Sequence, residues 1–311
     1  LGQRLALVPE VEARFYGKDD DDLGIGDGLV ATANEVDLVE DGGVRAHVMI
    51  YELQDGAPAY PTVTSEGAEE LIGWGANSGM VAGEDGMLYA VNDSFFAYQP
   101  TIFTIDVSEQ PARITKALPV TRGGHPAQKL DMEGITTDGE GGFWIASEGD
   151  AAKLVPHAIY HVNAEGEIEK EIGLPEALLE GQKRFGFEGI TLLDGTLWMA
   201  VQREWGNDPA GHVKLISYNL ESEEWGAVHY PIATAETGWV GLSDIVAHGD
   251  QVYVVERDNQ IGDAAKIKKI YSVPAAEMVP AAPGSELPVV TKTEVRDLIP
   301  DLKGWGGYVV D

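Results

Sequence analysis

The chain has no cysteine. That absence excludes disulfides, thiol nucleophiles, zinc–thiolate sites and iron–sulfur clusters together. The metal ligands left are carboxylates, seven histidines and backbone carbonyls, a set suited to hard cations. Positive charge is scarce: 21 Lys and Arg face 52 Asp and Glu over 311 residues, a formal charge of −31. A surface this negative repels a phosphate backbone, so nucleic acid is not expected as a partner, and anionic membranes are disfavoured for the same reason. No apolar run approaches the roughly 18 residues of a spanning helix, so no membrane insertion is expected. No G-x-S-x-G elbow occurs, which argues against an α/β-hydrolase esterase, and there is no H-E-x-x-H pair. Helical periodicity is rare and confined to stretches such as Pro175 to Leu179 and Ala275 to Met278. Leu1 stands where an initiator Met would, which gives the expectation of a processed or trimmed chain.

What is present is an all-β texture, with 38 Gly and 16 Pro punctuating short apolar runs. Within it lies an internal repeat. Ser78-Gly79-Met80-Val81, Glu133-Gly134-Ile135-Thr136, Glu188-Gly189-Ile190-Thr191 and Ser243-Asp244-Ile245-Val246 each precede a Gly/Asp turn and a second apolar run. Gly79, Gly134, Gly189 and Asp244 are each 55 residues apart. Each unit reads as a hairpin, followed by third strands at Val48 to Tyr51, Ile102 to Ile105, Ala158 to His161, Leu215 to Tyr218 and Ile267 to Tyr271. Ile114 to Leu118 and Glu167 to Ile172 are candidate fourth strands. Three or four antiparallel strands at this period describe a β-propeller blade. The second strands are apolar on both faces, Phe143 and Ile145 alternating with Trp144 and Ala146, as strands covered on both sides are. A β-sandwich or β-solenoid is the alternative. The expectation is one propeller domain over residues 1–311, with a divergent first blade in 1–60 and clear repeats from near 77, 132, 187 and 242. Dividing the length by the period predicts a six-bladed ring, closed by unlike ends or lacking its last blade.

In such a ring the innermost strand starts and the second strand ends on one face. The starts supply Ser78, Glu133, Glu188 and Ser243, the last beside Asp244; the ends supply Asp93, Glu148, Gln202 and Arg257. Converging carboxylates repel unless a cation neutralises them or some are protonated. Glu133, Glu188, Asp93, Glu148 and Asp244 are therefore candidate ligands for Ca2+, with Mg2+ or Mn2+ as the alternatives. The competing reading is that Glu133 and Glu188 only accept backbone hydrogen bonds at the entry to buried strands. Loops leading to the same mouth carry Arg122, His125, Lys129, Lys183 and Arg184, and Arg203 and Arg257 flank the second-strand ends. Arg122, Lys129, Arg184, Arg203 and Arg257 are the candidate substrate-binding residues, because arginine beside a carboxylate-held cation grips an oxyanion, phosphate above all. Structural pairing of these arginines with the glutamates is the alternative. The run Asp19-Asp20-Asp21-Asp22-Leu23-Gly24 is not an EF-hand, since Val30 stands where the twelfth-position Glu belongs. Gly24-Ile25-Gly26-Asp27-Gly28 precedes no helical pattern and is not a dinucleotide fingerprint.

Leu130-Asp131-Met132-Glu133-Gly134-Ile135 with Phe143-Trp144-Ile145-Ala146-Ser147-Glu148, then Gly186-Phe187-Glu188-Gly189-Ile190 and Val255-Glu256-Arg257-Asp258, resemble the bacterial "esterase-like activity of phytase" family. The likeness runs from about Asn77 to Val310. It implies an exported propeller, periplasmic or extracellular, acting on phosphate esters. The Glu-Gly starts are also similar to the metal-binding glutamates of gluconolactonase and paraoxonase-like propellers, which implies metal roles for Glu133 and Glu188. The expected activity is metal-dependent hydrolysis of a small anionic phosphorylated substrate, with Glu148 or Glu133 as general base. The alternatives are a calcium-stabilised, non-catalytic propeller that binds a protein partner, and a lactonase.

Overall fold

The computed structural model describes four strands near the N-terminus, Arg4–Val8, Asp21–Gly26, Leu29–Asn34 and His47–Gln54, by their backbone, and then residues 77–93, 100–108, 112–150, 154–182, 184–306 and 309. The architecture is a β-propeller. Four blades are complete four-stranded antiparallel sheets in simple sequence order. The first comprises Asn77–Ala82, Met87–Asn92, Thr101–Asp106 and Arg113–Pro119. The second comprises Met132–Thr137, Phe143–Ser147, Ala158–Val162 and Ile168–Gly173, and the third Phe187–Leu193, Thr196–Val201, His212–Asn219 and Trp225–Pro231. The fourth comprises Val240–His248, Gln251–Asp258, Lys268–Pro274 and Thr293–Asp297. The third and fourth strands expected from the sequence are all present, whereas Trp225–Pro231 and Thr293–Asp297 gave no comparable signal.

The hydrophobic core lies between blades rather than inside one sheet. Phe143 and Ile145 join one cluster with Val91, Ile102 and Tyr160, while Trp144 and Ala146 join the next with Phe187, Ile190 and Leu197. Leu197, Met199 and Val201 share that second cluster, and Trp198 and Ala200 face a third with Leu242, Ile245 and Val254. Strand alternation thus sends neighbouring residues into two different cores, which is why these strands carry no polar face.

The repeat period is visible as contact at the axis. A Cβ added to Gly79 would lie 2.6 Å from Gly134 Cα, and one on Gly134 would lie 2.7 Å from Gly189 Cα. A Cβ on Gly189 would run into the Asp244 side chain. Inner strands approach this closely only where the side chain is missing.

Stepping back one more period from Gly79 reaches Gly24, in the strand Asp21–Gly26. That strand is the inner edge of a further four-stranded sheet, and it neighbours both Val240–His248 and Asn77–Ala82. The propeller expected from the sequence is what the described residues show. Five four-stranded sheets occur among them, and the inner strands already follow one another around the axis. Two things differ from the expectation. The weak Gly24 to Val30 signal is a true hairpin, with Arg4–Val8 added as its sheet's outermost strand, and Ile299–Gly306 is a helix where a further hairpin was expected. Asp19 and Asp20 lie outside the described residues.

Candidate functional site

In the four blades from Asn77 onward each inner strand begins with a register slip. Met132 faces Ser147 and Gly134 faces Ala146, so Glu133 is the extra, bulged residue. The same slip singles out Glu188 between Phe187 and Gly189, and Ser243 between Leu242 and Asp244. In the first complete blade it falls between Asn77 and Met80, at Ser78 and Gly79. A bulge re-aims a side chain that the pleat would otherwise bury against a neighbouring strand. The glycine or Asp244 after it meets the next blade, and the bulged residue sits where second strands end.

At this face the structure assembles an acidic cluster around Glu133. Carboxylate oxygens of Asp93, Asp131 and Glu133 all lie within 4.8 Å of one another. The backbone fixes this arrangement: Glu148 N–H donates to the Asp131 carbonyl at 3.0 Å, and Asp131 N–H to Ser147 Oγ at 3.2 Å. The neighbouring blade repeats the lock, Gln202 N–H donating to the Gly186 carbonyl at 2.8 Å. Ser78 Oγ–H donates to Glu133 from the preceding blade. Glu148 is buried beside the triad, its side chain 8% exposed. Burial, then the Asp131, Asp93 and Asp150 carboxylates, push the ionisation of Glu148 up to about 7, while Arg184 opposes them. Arg184 Nε lies 4.0 Å from the Glu148 carboxylate. His157 is buried next to this group, its ring centre 5.8 Å from that of Trp205, and burial holds its pKa below the usual value.

Of the expected metal ligands, Asp93, Glu133 and Glu148 come together. Glu188 and Asp244 belong to the next two blades and lie outside the triad; Glu188 is fully buried, and Asp244 Oδ1 accepts from the Ile245 N–H at 2.7 Å. Asp131 is the ligand candidate the sequence reading left out, although it stood two residues before Glu133. The cations divide similarly. Arg184 is at the cluster, and Arg203 lies farther round, against the rings of Phe185 and Trp239. Arg257 is completely buried, donating from Nε to Ser243 Oγ at 2.8 Å. Lys129 is exposed, with φ 60, two residues before Asp131. Arg122 is not brought to the cluster: it pairs with Glu171 on the outer strand Ile168–Gly173 at 2.9 Å and donates to the Gln128 carbonyl. His125 shares its two-residue-strand hairpin, and Lys183 lies outside the described residues.

Together these features define a β-propeller whose mouth is lined by carboxylates from adjacent blades. A family model described as "Esterase-like activity of phytase" matches residues 72–311, and the chain belongs to that family. No curated protein matches it. Among solved structures it is similar to the GH43_1 enzyme from Xanthomonas citri complexed with xylose, at 14% identity and a TM-score of 0.48, covering 86% of this chain and 91% of that one. A protein of unknown function from Bacteroides caccae is similar at 11% identity and a TM-score of 0.43, covering 73% and 70%. A protein from Lactobacillus plantarum is similar at 10% identity and a TM-score of 0.39, covering 89% and 70%. At these levels the likenesses bear on neither activity nor ligand.

Proposed function

We propose that this protein is a metal-dependent phosphoester hydrolase, exported to the periplasm or beyond, that works at the mouth of the propeller. The observation carrying this reading is the Asp93, Asp131 and Glu133 triad within 4.8 Å, with Glu148 beside it raised to about 7. Three carboxylates this close repel strongly unless a cation lies among them, and their all-oxygen donor set fits Ca2+ first, with Mg2+ or Mn2+ as alternatives. Asp93, Asp131 and Glu133 would hold the ion. When bound it would supply Lewis-acid polarisation and a more acidic water.

Glu148 does the proton work in this reading. A carboxylate ionising near neutrality accepts a proton from an attacking water and returns it at little cost. Arg184, 4.0 Å from it, is placed to hold a phosphoryl oxygen and stabilise the charge that develops there. The Asp131 backbone contact fixes the distance between the triad and Glu148, because one chain segment carries both.

The experiment is turnover of a generic phosphomonoester, with a carboxylester and a lactone beside it, by chelator-treated protein with and without Ca2+, Mg2+ or Mn2+. Phosphomonoester turnover that needs the metal and falls about 10²-fold or more in Glu148→Gln is the expected result. A panel that stays flat at every metal concentration overturns the enzyme reading and leaves a binding propeller.

A further inference from the structure

Two aromatic rings hold one arginine at this face. The guanidinium carbon of Arg203 lies 4.5 Å from the centre of the Phe185 ring and 4.5 Å from that of Trp239. Phe185 comes from the loop entering one blade and Trp239 from the loop entering the next, their ring centres 6.2 Å apart. Phe185 takes φ 79, a left-handed conformation that a bulky residue adopts only when its surroundings hold it there. Arg184 continues the stack, 5.9 Å from the Phe185 centre, and Arg257 lies 5.2 Å from that of Trp239. The stack thus runs from Glu148 through Arg184 and Phe185 to Arg203 and beyond.

With their centres only 6.2 Å apart the two rings do not sandwich the guanidinium but flank it from one side, and ring contacts leave its N–H donors unspent. Among the described residues the Arg203 guanidinium has ring contacts and no hydrogen bond or ion pair. The acid next to it in sequence, Glu204, spends Oε1 on the Gly211 N–H at 2.6 Å. Arg203 lines a cavity of about 410 Å3 together with Ile232, Thr234, Gly238, Trp239 and Glu204 itself. That volume suits a small organic molecule. Burial works against the Arg203 charge and the neighbouring Glu204 carboxylate only partly offsets it, so an anion at the guanidinium edge would be favourable. Because the two rings already fix the side chain, little rotamer freedom remains to be lost on binding.

We infer that this cavity is an oxyanion subsite, separate from the acidic triad, in which Arg203 grips one carboxylate or phosphate group of a small molecule through its guanidinium edge. The subsite needs neither a metal nor hydrolysis, so it stands or falls independently of the activity proposed above.

The test is calorimetric titration of metal-stripped full-length protein with inorganic phosphate and, separately, with acetate, repeated with Ca2+ present. Saturable binding of either anion without metal supports the subsite; phosphate alone assigns a phosphoryl ligand, acetate alone a carboxylate, and both together any oxyanion of this size. Arg203→Gln should weaken that binding about tenfold or more while near-ultraviolet circular dichroism stays unchanged. Arg203→Lys keeps the charge but loses the planar fork, and should also weaken binding clearly, which carries the test if the glutamine variant fails to fold. Binding of neither anion by the wild-type protein, or wild-type affinity in both variants, overturns the proposal. Anion binding that survives alongside a flat hydrolysis panel would leave the subsite standing and remove only the enzyme reading.

Discussion

Ser78 donates its hydroxyl proton to the Glu133 carboxylate across 55 residues of sequence, from the inner strand of one blade to the inner strand of the next. Both residues occupy the register slip at the start of their strands, so one hydrogen bond joins two copies of the same structural position. Ser78→Ala should therefore destabilise the fold by about 1–3 kcal/mol, the cost of leaving a buried charged acceptor short of a donor. Urea unfolding, with midpoint and slope both measured, checks this. A loss well below 1 kcal/mol would mean that water replaces the hydroxyl.

Glu148 makes stability depend on pH in a definite direction. Its ionisation is raised from 4.5 to about 7, by burial first and by Asp131 next. Between those values the folded protein keeps a proton that the unfolded chain has released, so this contribution is greatest below about pH 4.5 and is lost as pH rises to about 7. The loss is on the order of 3 kcal/mol at full strength. Glu148→Gln should remove that slope, seen as the difference between the two proteins' urea midpoints at about pH 5 and pH 8 in metal-free buffer. Parallel pH profiles would show that Glu148 ionises like an exposed glutamate.

If the triad holds a cation, folding and binding are linked. Ca2+ at 100 to 1,000 times its dissociation constant should raise stability by about 3–4 kcal/mol and shift the melting temperature accordingly. The same ion favours ionised Glu148 and should flatten the pH slope described above. Asp131→Asn should raise the calcium requirement about tenfold or more. A melting temperature indifferent to chelator and to Ca2+ removes the metal from the site.

Close approach at glycine gives a purely structural test. A Cβ on Gly134 would sit 2.7 Å from the Gly189 backbone, and one on Gly186 would collide with the Glu148 carbonyl and the His157 ring. Gly134→Ala and Gly186→Ala should each cost about 1–3 kcal/mol, because inner strands locked around an axis have little room to separate. Gly173→Ala, where nothing lies within 4 Å, should stay within about 0.5 kcal/mol of wild type. Equal effects at Gly134 and Gly173 would contradict the packing at the axis.

The fold was legible because a propeller repeats its local rules. Glycine at the axis, a Gly/Asp turn and a second strand apolar on both faces recur every 55 residues, so Gly79, Gly134, Gly189 and Asp244 marked the inner strands and Trp144 and Trp198 the shared cores. The convergence of Asp93, Glu133 and Glu148 followed from register alone. The outer strand Thr293–Asp297 escaped because it is largely exposed and its signal merges with that of a loop, whereas Trp225–Pro231 is buried along its middle, covered by chain at Ala281 and Val289, but Gly226 and His229 interrupt its apolar run.

The sequence by itself determined the all-β propeller, the hard-ligand chemistry of a cysteine-free acidic chain and the face on which the carboxylates meet. Tertiary structure alone decided which residues complete the site. Asp131 precedes the repeat unit, and its backbone bonds to Glu148 and Ser147 hold it at the triad; Arg122, like Arg184, stands ahead of a Glu-Gly start, yet Glu171 on an outer strand pairs with it. The neighbours of Asp21–Gly26 are likewise a matter of tertiary structure, since that strand lies against both Val240–His248 and Asn77–Ala82. Periodicity fixes where a residue stands within its own blade, but loop conformation and inter-blade contact fix what it touches, and those depend on residues far apart in the chain.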